Sequence, residues 1–257
     1  GQVLKANNPF NATLDTGEIA EWGNFGSTPQ VFYVSTTSGL DIATNGTTES
    51  APFKTIKYAC DFIQADVNNR TPASVFIKTG VYEEILPISV PKDTALIGDE
   101  LRSTSVFPKA GYETNDMFRV RNGGGIRNMS LNGLSGTLGA ANSYGTKRPT
   151  GGAFVSLDPG TGPGDTSVHI TSKSPYIQNV STFGTGCTGL RVDGSLHNAG
   201  YRSVVANDFT QVLTDGIGYW CSYNGRSELV SVFTYYCHVG YLTEFGGRVR
   251  ATNGNNS

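Results

Sequence analysis

The chain has 257 residues, a net charge of −2 and only 16% charged residues, whereas glycine alone occupies 33 positions. Its basic residues are scattered, which excludes the clustered positive charge of a nucleic-acid-binding surface, so we predict no nucleic-acid partner. No run of eighteen apolar residues occurs, so we predict no membrane insertion. The many Gly, Ser, Thr and Asn residues favour short strands joined by tight turns over a helical fold.

The cysteines are too sparse and too irregularly spaced for a disulfide scaffold or a zinc site, and we predict that they are buried free thiols. They are Cys60, Cys187, Cys221 and Cys237. Cys237 and His238 are adjacent, but neighbours in a strand face opposite sides and do not form a ligand pair. We therefore predict no metal and no cofactor.

The N-terminal part of the chain combines a polar arm, a strand and a helix. Residues 1–30 are rich in Gly and Asn and are predicted to form an arm or linker, and Val31–Val34 is a compact apolar strand. A helix is predicted over residues 52–63, because Pro52 suits its start and apolar residues recur at helical spacing. Those residues are Ile56, Ala59, Cys60 and Ile63.

The segment 75–99 alternates apolar and polar residues with period two and is interrupted by Gly and Pro, which is typical of short β-strands. It contains the strings Val75-Phe-Ile-Lys-Thr-Gly-Val-Tyr-Glu-Glu84 and Leu96-Ile-Gly-Asp99, and it follows Phe53-Lys-Thr-Ile56 and the predicted helix. In these strings, residues 31–107 resemble the N-terminal part of pectin esterases and the wider pectin-lyase-like superfamily. The resemblance implies a right-handed parallel β-helix.

A six-residue string recurs further along the chain. It reads Ile-Arg-Asn-Met-Ser-Leu at 126–131, Ile-Gln-Asn-Val-Ser-Thr at 177–182 and Leu-Val-Ser-Val-Phe-Thr at 229–234. The starts lie 51 and 52 residues apart, which is too long for one coil of a β-solenoid and suits two. Intermediate copies are therefore predicted at Phe154–Leu157 and Tyr201–Ala206.

Each copy alone would bury only part of its apolar surface, so stacking on neighbouring copies is the expected solution. We predict an all-β fold, a right-handed parallel β-helix, as one domain over residues 31–257 that continues beyond residue 257. An open end would expose the core and the strand edges, so the single helix is interpreted as an N-terminal cap.

Two glycine-rich excursions, at 134–152 and 158–165, are predicted to emerge as loops that build a binding surface. The chain ends in Gly246-Gly-Arg-Val-Arg-Ala-Thr-Asn-Gly-Asn-Asn-Ser257, a strand followed by a polar turn. This ending resembles repeated segments of structural proteins of tailed phages, particularly T4-like phages of cyanobacteria. The resemblance implies a virion tail fibre, tail spike or baseplate protein.

Catalytic candidates come from the resemblance to pectin esterases, which use two aspartates on neighbouring coils, a glutamine for the oxyanion and an arginine. The candidates here are Asp208, Gln211, Asp215 and Arg226, with Arg248 as an alternative arginine. The family's Gln-Asp-Thr, Asp-Phe-Ile-Phe-Gly and Leu-Gly-Arg-Pro-Trp strings are absent, and Asp208 matches only part of one of them. Since Asp-Gly is also a common turn pair, we expect turn residues rather than an active esterase. A lyase or a glycosidase stays open.

The C-terminal third is rich in aromatic residues, of which alternate members must point into the coil. The candidates for stacking on the sugar rings of a glycan are Trp220, Tyr223, Tyr235 and Tyr236. The same outward side chains could instead pack against a sister subunit.

We predict a structural protein of a phage virion, in the tail or baseplate, that binds host-surface glycan, is assembled in the host cytoplasm and acts extracellularly. Its predicted partners are two sister copies in a homotrimer, other tail or baseplate proteins and host cell-surface polysaccharide. The alternatives are a polysaccharide-degrading enzyme (a depolymerase or a pectin-type esterase or lyase) and a bacterial surface adhesin. An enzyme predicts a groove with two carboxylates or a carboxylate beside an arginine, whereas a scaffold predicts Ser, Thr and Asn there.

Overall fold

The computed structural model describes residues 2–6, 20–24, 29–143, 145–162, 164–195 and 203–257. Within these ranges strands predominate, and the α-helices are α1 (Ile56–Ala65) and α2 (Val67–Arg70), with a short 3-10 turn at Thr166–Val168. None of the described helices has the length and apolar composition needed to span a membrane.

The described strands run along the whole chain. In order, they are β1 (Gln2–Ala6), β2 (Ala20–Asn24), β3 (Gln30–Val34), β4 (Ala73–Ile77), β5 (Gly80–Glu84), β6 (Ile88–Val90), β7 (Thr94–Gly98), β8 (Thr104–Pro108), β9 (Phe118–Val120), β10 (Gly125–Ser135), β11 (Leu138–Ala141), β12 (Lys147–Pro149), β13 (Ala153–Leu157), β14 (Tyr176–Thr185), β15 (Thr188–Asp193), β16 (Val204–Thr214), β17 (Ile217–Ser222), β18 (Arg226–Tyr235), β19 (Val239–Thr243), β20 (Arg248–Thr252) and β21 (Asn255–Asn256).

Two large sheets contain most of these strands. The long sheet has the order β20-β18-β16-β14-β10-β7-β4-β3, with β21 beside β18, β8 beside β10 and β5 beside β8. The short sheet has the order β19-β17-β15-β13-β9-β6. All pairings within both sheets are parallel. From β13 to β20 the chain alternates between the short and the long sheet, so the predicted all-β fold with parallel strands is confirmed.

The register of the long sheet corrects the predicted intervals. Ile126 lies directly beside Ile177, so the 51 residues between them make one repeat and not two. Ala206 lies between Ile177 and Leu229, so the next 52 residues make two repeats, as predicted. The first interval is longer because it contains the antiparallel β11–β12 hairpin and the 3-10 turn.

The two predicted intermediate copies also need correction. Phe154–Leu157 belongs to β13 of the short sheet, so it does not lie beside the long-sheet copies. Tyr201 lies outside the described residues, and Ala206 is the residue paired with Ile177. Both copies were chosen by their apolar pattern, which short-sheet and long-sheet strands share.

Each long strand bends at one residue with a left-handed backbone. The φ values at these positions lie between 51° and 56°. The residues are Asn128, Asn179, Asp208, Ser231 and Asn253. Asn, Asp and Ser suit this conformation because their short polar side chains can hydrogen-bond locally, and Asn179 Nδ2 donates to Asn128 Oδ1 at 3.1 Å. The recurring string is therefore the sequence of this bend.

The core lies between the sheets and is filled from both sides of the bend. Ile126, Ile177 and Leu229 are buried before it, and Met129 and Phe209 are buried after it. Burying such a side chain stabilises the fold by about 1.5–3 kcal/mol, so the stacked repeats together form one continuous apolar core.

Helix α1 confirms the helical spacing in the sequence, since all four predicted apolar positions are fully buried. It begins at Ile56 because the Thr55 side chain accepts a hydrogen bond from the Tyr58 amide at 3.1 Å, so Pro52 is not its start. The helix packs on β3, β5 and β6, and β3 and β6 are the strands at the N-terminal ends of the two sheets.

Candidate glycan-binding surface

One side chain from each of five neighbouring short-sheet strands lies in a single line, which we call the Arg-Trp row. Its members are Arg119 on β9, Ser156 on β13, Arg191 on β15, Trp220 on β17 and Leu242 on β19. Neighbouring strands lie roughly 4.8 Å apart, so the row spans roughly 19 Å. The alternate residues of β15 and β17, such as Leu190 and Tyr219, are buried in the core.

Asp116 binds the first three members of the row together. Arg191 donates from Nη2 to both Asp116 oxygens at 2.8 and 2.7 Å, and Arg119 donates from Nε at 3.1 Å. The Ser156 hydroxyl and the Ala153 amide also donate to it, at 3.1 and 2.9 Å. Burial acts to raise the pKa of Asp116, but Arg191, the Ala153 amide and Arg119 hold that pKa below its usual range. Asp116 therefore remains an anion that fixes both arginines.

Trp220 is tied to the β11–β12 hairpin through Glu244. The indole Nε1 donates to Glu244 Oε1 at 2.8 Å, and Arg148 of β12 donates from Nη2 to Glu244 Oε2. The Arg148 guanidinium carbon also lies 5.0 Å from the centre of the Trp220 ring, which allows a cation–π contact. These contacts hold the hairpin over the end of the Arg-Trp row.

A cavity of about 330 Å³ lies between the hairpin turn and the end of β19. It is lined by Asn142, Thr146, Leu242, Thr243, Glu244 and Phe245. The volume suits a sugar ring, and the lining offers amide, hydroxyl, carboxylate and apolar groups. The cavity and the Arg-Trp row share Leu242, so they form one surface.

Carboxylates on this surface are paired with arginine. Asp116 has Arg191 and Arg119, Glu244 has Arg148, and Asp158 beside the row accepts from Arg121 Nε at 2.7 Å. A carboxylate beside an arginine is the feature expected of a depolymerase, but Asp116 is only 5% exposed and both its oxygens are occupied. General acid–base chemistry needs a carboxylate within reach of substrate. The arrangement is therefore better suited to binding than to catalysis.

A second cleft, of about 530 Å³, lies near the N-terminus of α1 and contains Glu84. Glu84 is 1% exposed, and its oxygens accept hydrogen bonds from the Ile56 and Lys57 amides at 2.6 and 3.1 Å. Burial raises the pKa of Glu84 to about 7. The carboxylate thus satisfies the first amides of the helix. Within the described ranges, no three His, Cys, Asp or Glu side chains converge as metal ligands would.

The structure places the four catalytic candidates in different environments. Asp208 is the exposed residue at the bend of β16, and Asp215 is exposed with φ 55° in the turn before β17. Gln211 is completely buried, and its Oε1 occupies the space that a Cβ at Gly189 would need. Arg226 begins β18. Because Gln211 points into the interior and the aspartates face solvent, the four do not form one site.

The four aromatic candidates form two separate groups. Trp220 lies in the Arg-Trp row, and Tyr223 follows β17 and stacks on Phe245 with ring centres 4.8 Å apart. Tyr235 ends β18 in the long sheet, and Tyr236 follows it. A single glycan site therefore does not contain all four.

The sequence interpretation missed Asp116 and Arg191, which are far apart in the chain. A usable signal exists in the short sheet, where one glycine-containing string repeats. It reads Thr188-Gly-Leu-Arg191, Ile217-Gly-Tyr-Trp220 and Val239-Gly-Tyr-Leu242. The glycine is required because a Cβ at Gly189 would lie 1.4 Å from Gln211 Oε1. Aligning these strings would have put the last residues of all three in one column.

Comparison with known proteins adds little to this geometry. No protein-family model and no curated protein matches the chain. A solved structure described as "Geobacillus virus E2 - ORF18" is similar with a TM-score of 0.34 and 13% identity, over 88% of this chain and 41% of that chain. The chain therefore spans about two fifths of that protein's length. At this similarity the likeness supports no conclusion about function.

Proposed function

We propose that this protein is a glycan-binding structural domain of a phage virion appendage, in a tail fibre, tail spike or baseplate. The observation that carries the glycan-binding part is the Arg-Trp row, which combines an aromatic ring, two arginines with unused N–H groups and paired carboxylates. Sugars present apolar ring faces and hydroxyl edges, which such a row complements.

The proposal includes a right-handed parallel β-helix over residues 31–257, capped by α1 and preceded by an arm at residues 1–30. Supporting it are the alternation of the chain between two parallel sheets and the short connections between consecutive repeats. The virion assignment, with extracellular action and other tail or baseplate proteins as partners, rests on the resemblance of residues 246–257 to phage tail segments. A bacterial surface adhesin is the alternative with the same binding role.

A glycan array of bacterial surface polysaccharides tests the binding role. We expect a hit whose affinity falls about tenfold in Trp220→Ala and in Arg191→Gln, since each loses one contact of about 1.4 kcal/mol. Tyr236→Ala is the matched control, because Tyr236 is 75% exposed and lies outside the row. Equal loss in all three variants, or no hit on any polysaccharide, would contradict the proposal.

A polysaccharide-degrading enzyme is the second candidate, because Asp116 lies beside Arg191. Incubation with the polysaccharide identified on the array, followed by assays for new reducing ends and for unsaturated sugars, tests it. We expect no product. Product formation that Asp208→Ala or Asp116→Asn abolishes would replace binding by catalysis.

A further inference from the structure

A second line of side chains lies on the outer face of the long sheet, after the bend, and we call it the aromatic row. Its members are Phe107 on β8, Asn132 on β10, Phe183 on β14, Val212 on β16 and Tyr235 on β18. Printed partners connect Asn132 to Phe183, Val212 and Tyr235 in turn. Ser130 pairs with Ser105, and continuing that register by two residues puts Asn132 beside Phe107.

The rings of the aromatic row occur on every second strand. Phe107, Phe183 and Tyr235 are therefore separated by two strand spacings, or roughly 10 Å each. Phe183 is 39% exposed, and the other two are partly exposed. Because a parallel sheet is rigid, the spacing between the rings is fixed before any ligand arrives.

A parallel line beside the aromatic row carries hydroxyl groups. Its members are Ser105, Ser130, Ser181, Thr210 and Phe233. Ser130 and Ser181 are buried, and Ser130 donates to the Leu101 carbonyl at 2.7 Å, so Ser105 and Thr210 are the hydroxyls that reach solvent. None of the ten residues in the two lines is charged.

We propose that this face binds an uncharged, extended polysaccharide that runs across the strands, with alternate sugar rings stacked on Phe107, Phe183 and Tyr235. Two sugar rings joined end to end in an extended chain are about as long as the distance of roughly 10 Å between the aromatic rings. A coiled glycan would not keep this period. The absence of charge from both lines favours a neutral ligand, because burying an unpaired charge of the ligand would be costly.

This inference goes beyond the Arg-Trp row, since it assigns a different surface and a linkage class. The two can fail separately. The other occupant to consider is a second copy of this chain, because exposed aromatic residues also mark subunit interfaces.

Calorimetry with soluble oligosaccharides of two to six sugars tests the proposal. The probes are cello-, manno- and chito-oligosaccharides, which are extended and neutral, with malto-oligosaccharides as the coiled control. We expect affinity for at least one extended series to rise steeply up to six sugars, which is the length that covers three rings. Maltohexaose should bind at least about tenfold more weakly.

Variants then locate the site. Phe183→Ala should lower hexasaccharide affinity about tenfold and remove the dependence on length, whereas Phe183→Tyr keeps the ring and should retain binding. Phe107→Ala is the second variant if Phe183→Ala fails to fold. Trp220→Ala should leave this binding unchanged.

Each other outcome overturns the proposal. Loss of binding in Trp220→Ala alone would assign all glycan binding to the Arg-Trp row and leave the proposed function intact. Dissociation of an oligomer in Phe183→Ala, without binding by the parent protein to any extended hexasaccharide, would make the face an interface between copies. Preference for maltohexaose would exclude the extended linkage class.

Discussion

Glu84 is a buried carboxyl group whose ionisation is coupled to folding. Burial raises its pKa to about 7, from an ordinary 4.5, although the amides of Ile56 and Lys57 and the Lys57 ammonium act in the opposite direction. Between these two pH values the folded protein keeps a proton that the unfolded chain has lost. Stability must therefore fall as pH rises from about 4.5 to about 7, and the contribution of this group is constant above that window.

Glu84→Gln tests this coupling. The change should remove about 3 kcal/mol of pH-dependent stability between pH 5 and pH 8, because the amide does not titrate. Gln presents one acceptor where two helix amides need one each, so the variant should be less stable than the parent at pH 5. Urea unfolding at several pH values measures both effects. Glu83→Gln, at the exposed neighbour, is the control, and an unchanged pH slope in Glu84→Gln would assign the coupling to other groups.

At the residue scale, the sequence was most informative where a residue has few structural options. The turn interpretation of Asp208 and Asp215 matches their left-handed backbones, which Asp tolerates better than most residues. Gln211 was not predictable, because a polar residue in a strand is normally outward. Its inward position depends on the space above Gly189, which comes from another part of the chain. Pairwise fit of this kind is not visible in a local pattern.

At the scale of elements, helix α1 was predictable because its four buried positions repeat at helical spacing within one segment. The β11–β12 hairpin was predicted only as a glycine-rich excursion. Its docking depends on Glu244, which is 96 residues away from Arg148 in the chain. Local periodicity therefore gave the element, and long-range ion pairing determined where the excursion lies.

Arg148→Ala should release the hairpin from the short sheet. The variant loses the ion pair with Glu244 and the cation–π contact with Trp220, which together are worth about 1–2 kcal/mol. We expect faster proteolysis between residues 142 and 146 and a red shift of Trp220 fluorescence, because water gains access to the indole. The measurement uses a Trp22→Phe background, in which Trp220 is the single tryptophan.

Lys147→Ala is the matched control for the hairpin, since Lys147 is the exposed neighbour of Arg148 on the same strand. It should leave both signals unchanged. If Arg148→Ala also leaves proteolysis and emission as they are, the hairpin is held by its other contacts and the ion pair has no anchoring role.

At the scale of the whole molecule, composition and the recurring string were enough to predict an all-β fold of stacked parallel strands. The number of repeats was not, because a pair of copies 51 residues apart is consistent with two short repeats or with one repeat that contains an insertion. Hydrogen bonding between β10 and β14 decides for the insertion. The bend explains why the string is recognisable at all, since a left-handed residue between two inward apolar positions restricts the sequence more than a straight strand does.

A homotrimer is the last prediction, and the outer face of β3 and β4 indicates where its subunits would meet. Tyr33 and Phe76 stack there with ring centres 6.0 Å apart, and Val31 and Phe76 are exposed to 39% and 36%. Covering such side chains favours association. Light scattering should give about three times 27.3 kDa for the parent protein and one third of that for Phe76→Glu. Val81→Glu, equally apolar but on β5, should remain trimeric. A monomeric parent would exclude the trimer, and a trimeric Phe76→Glu would place the interface on another face.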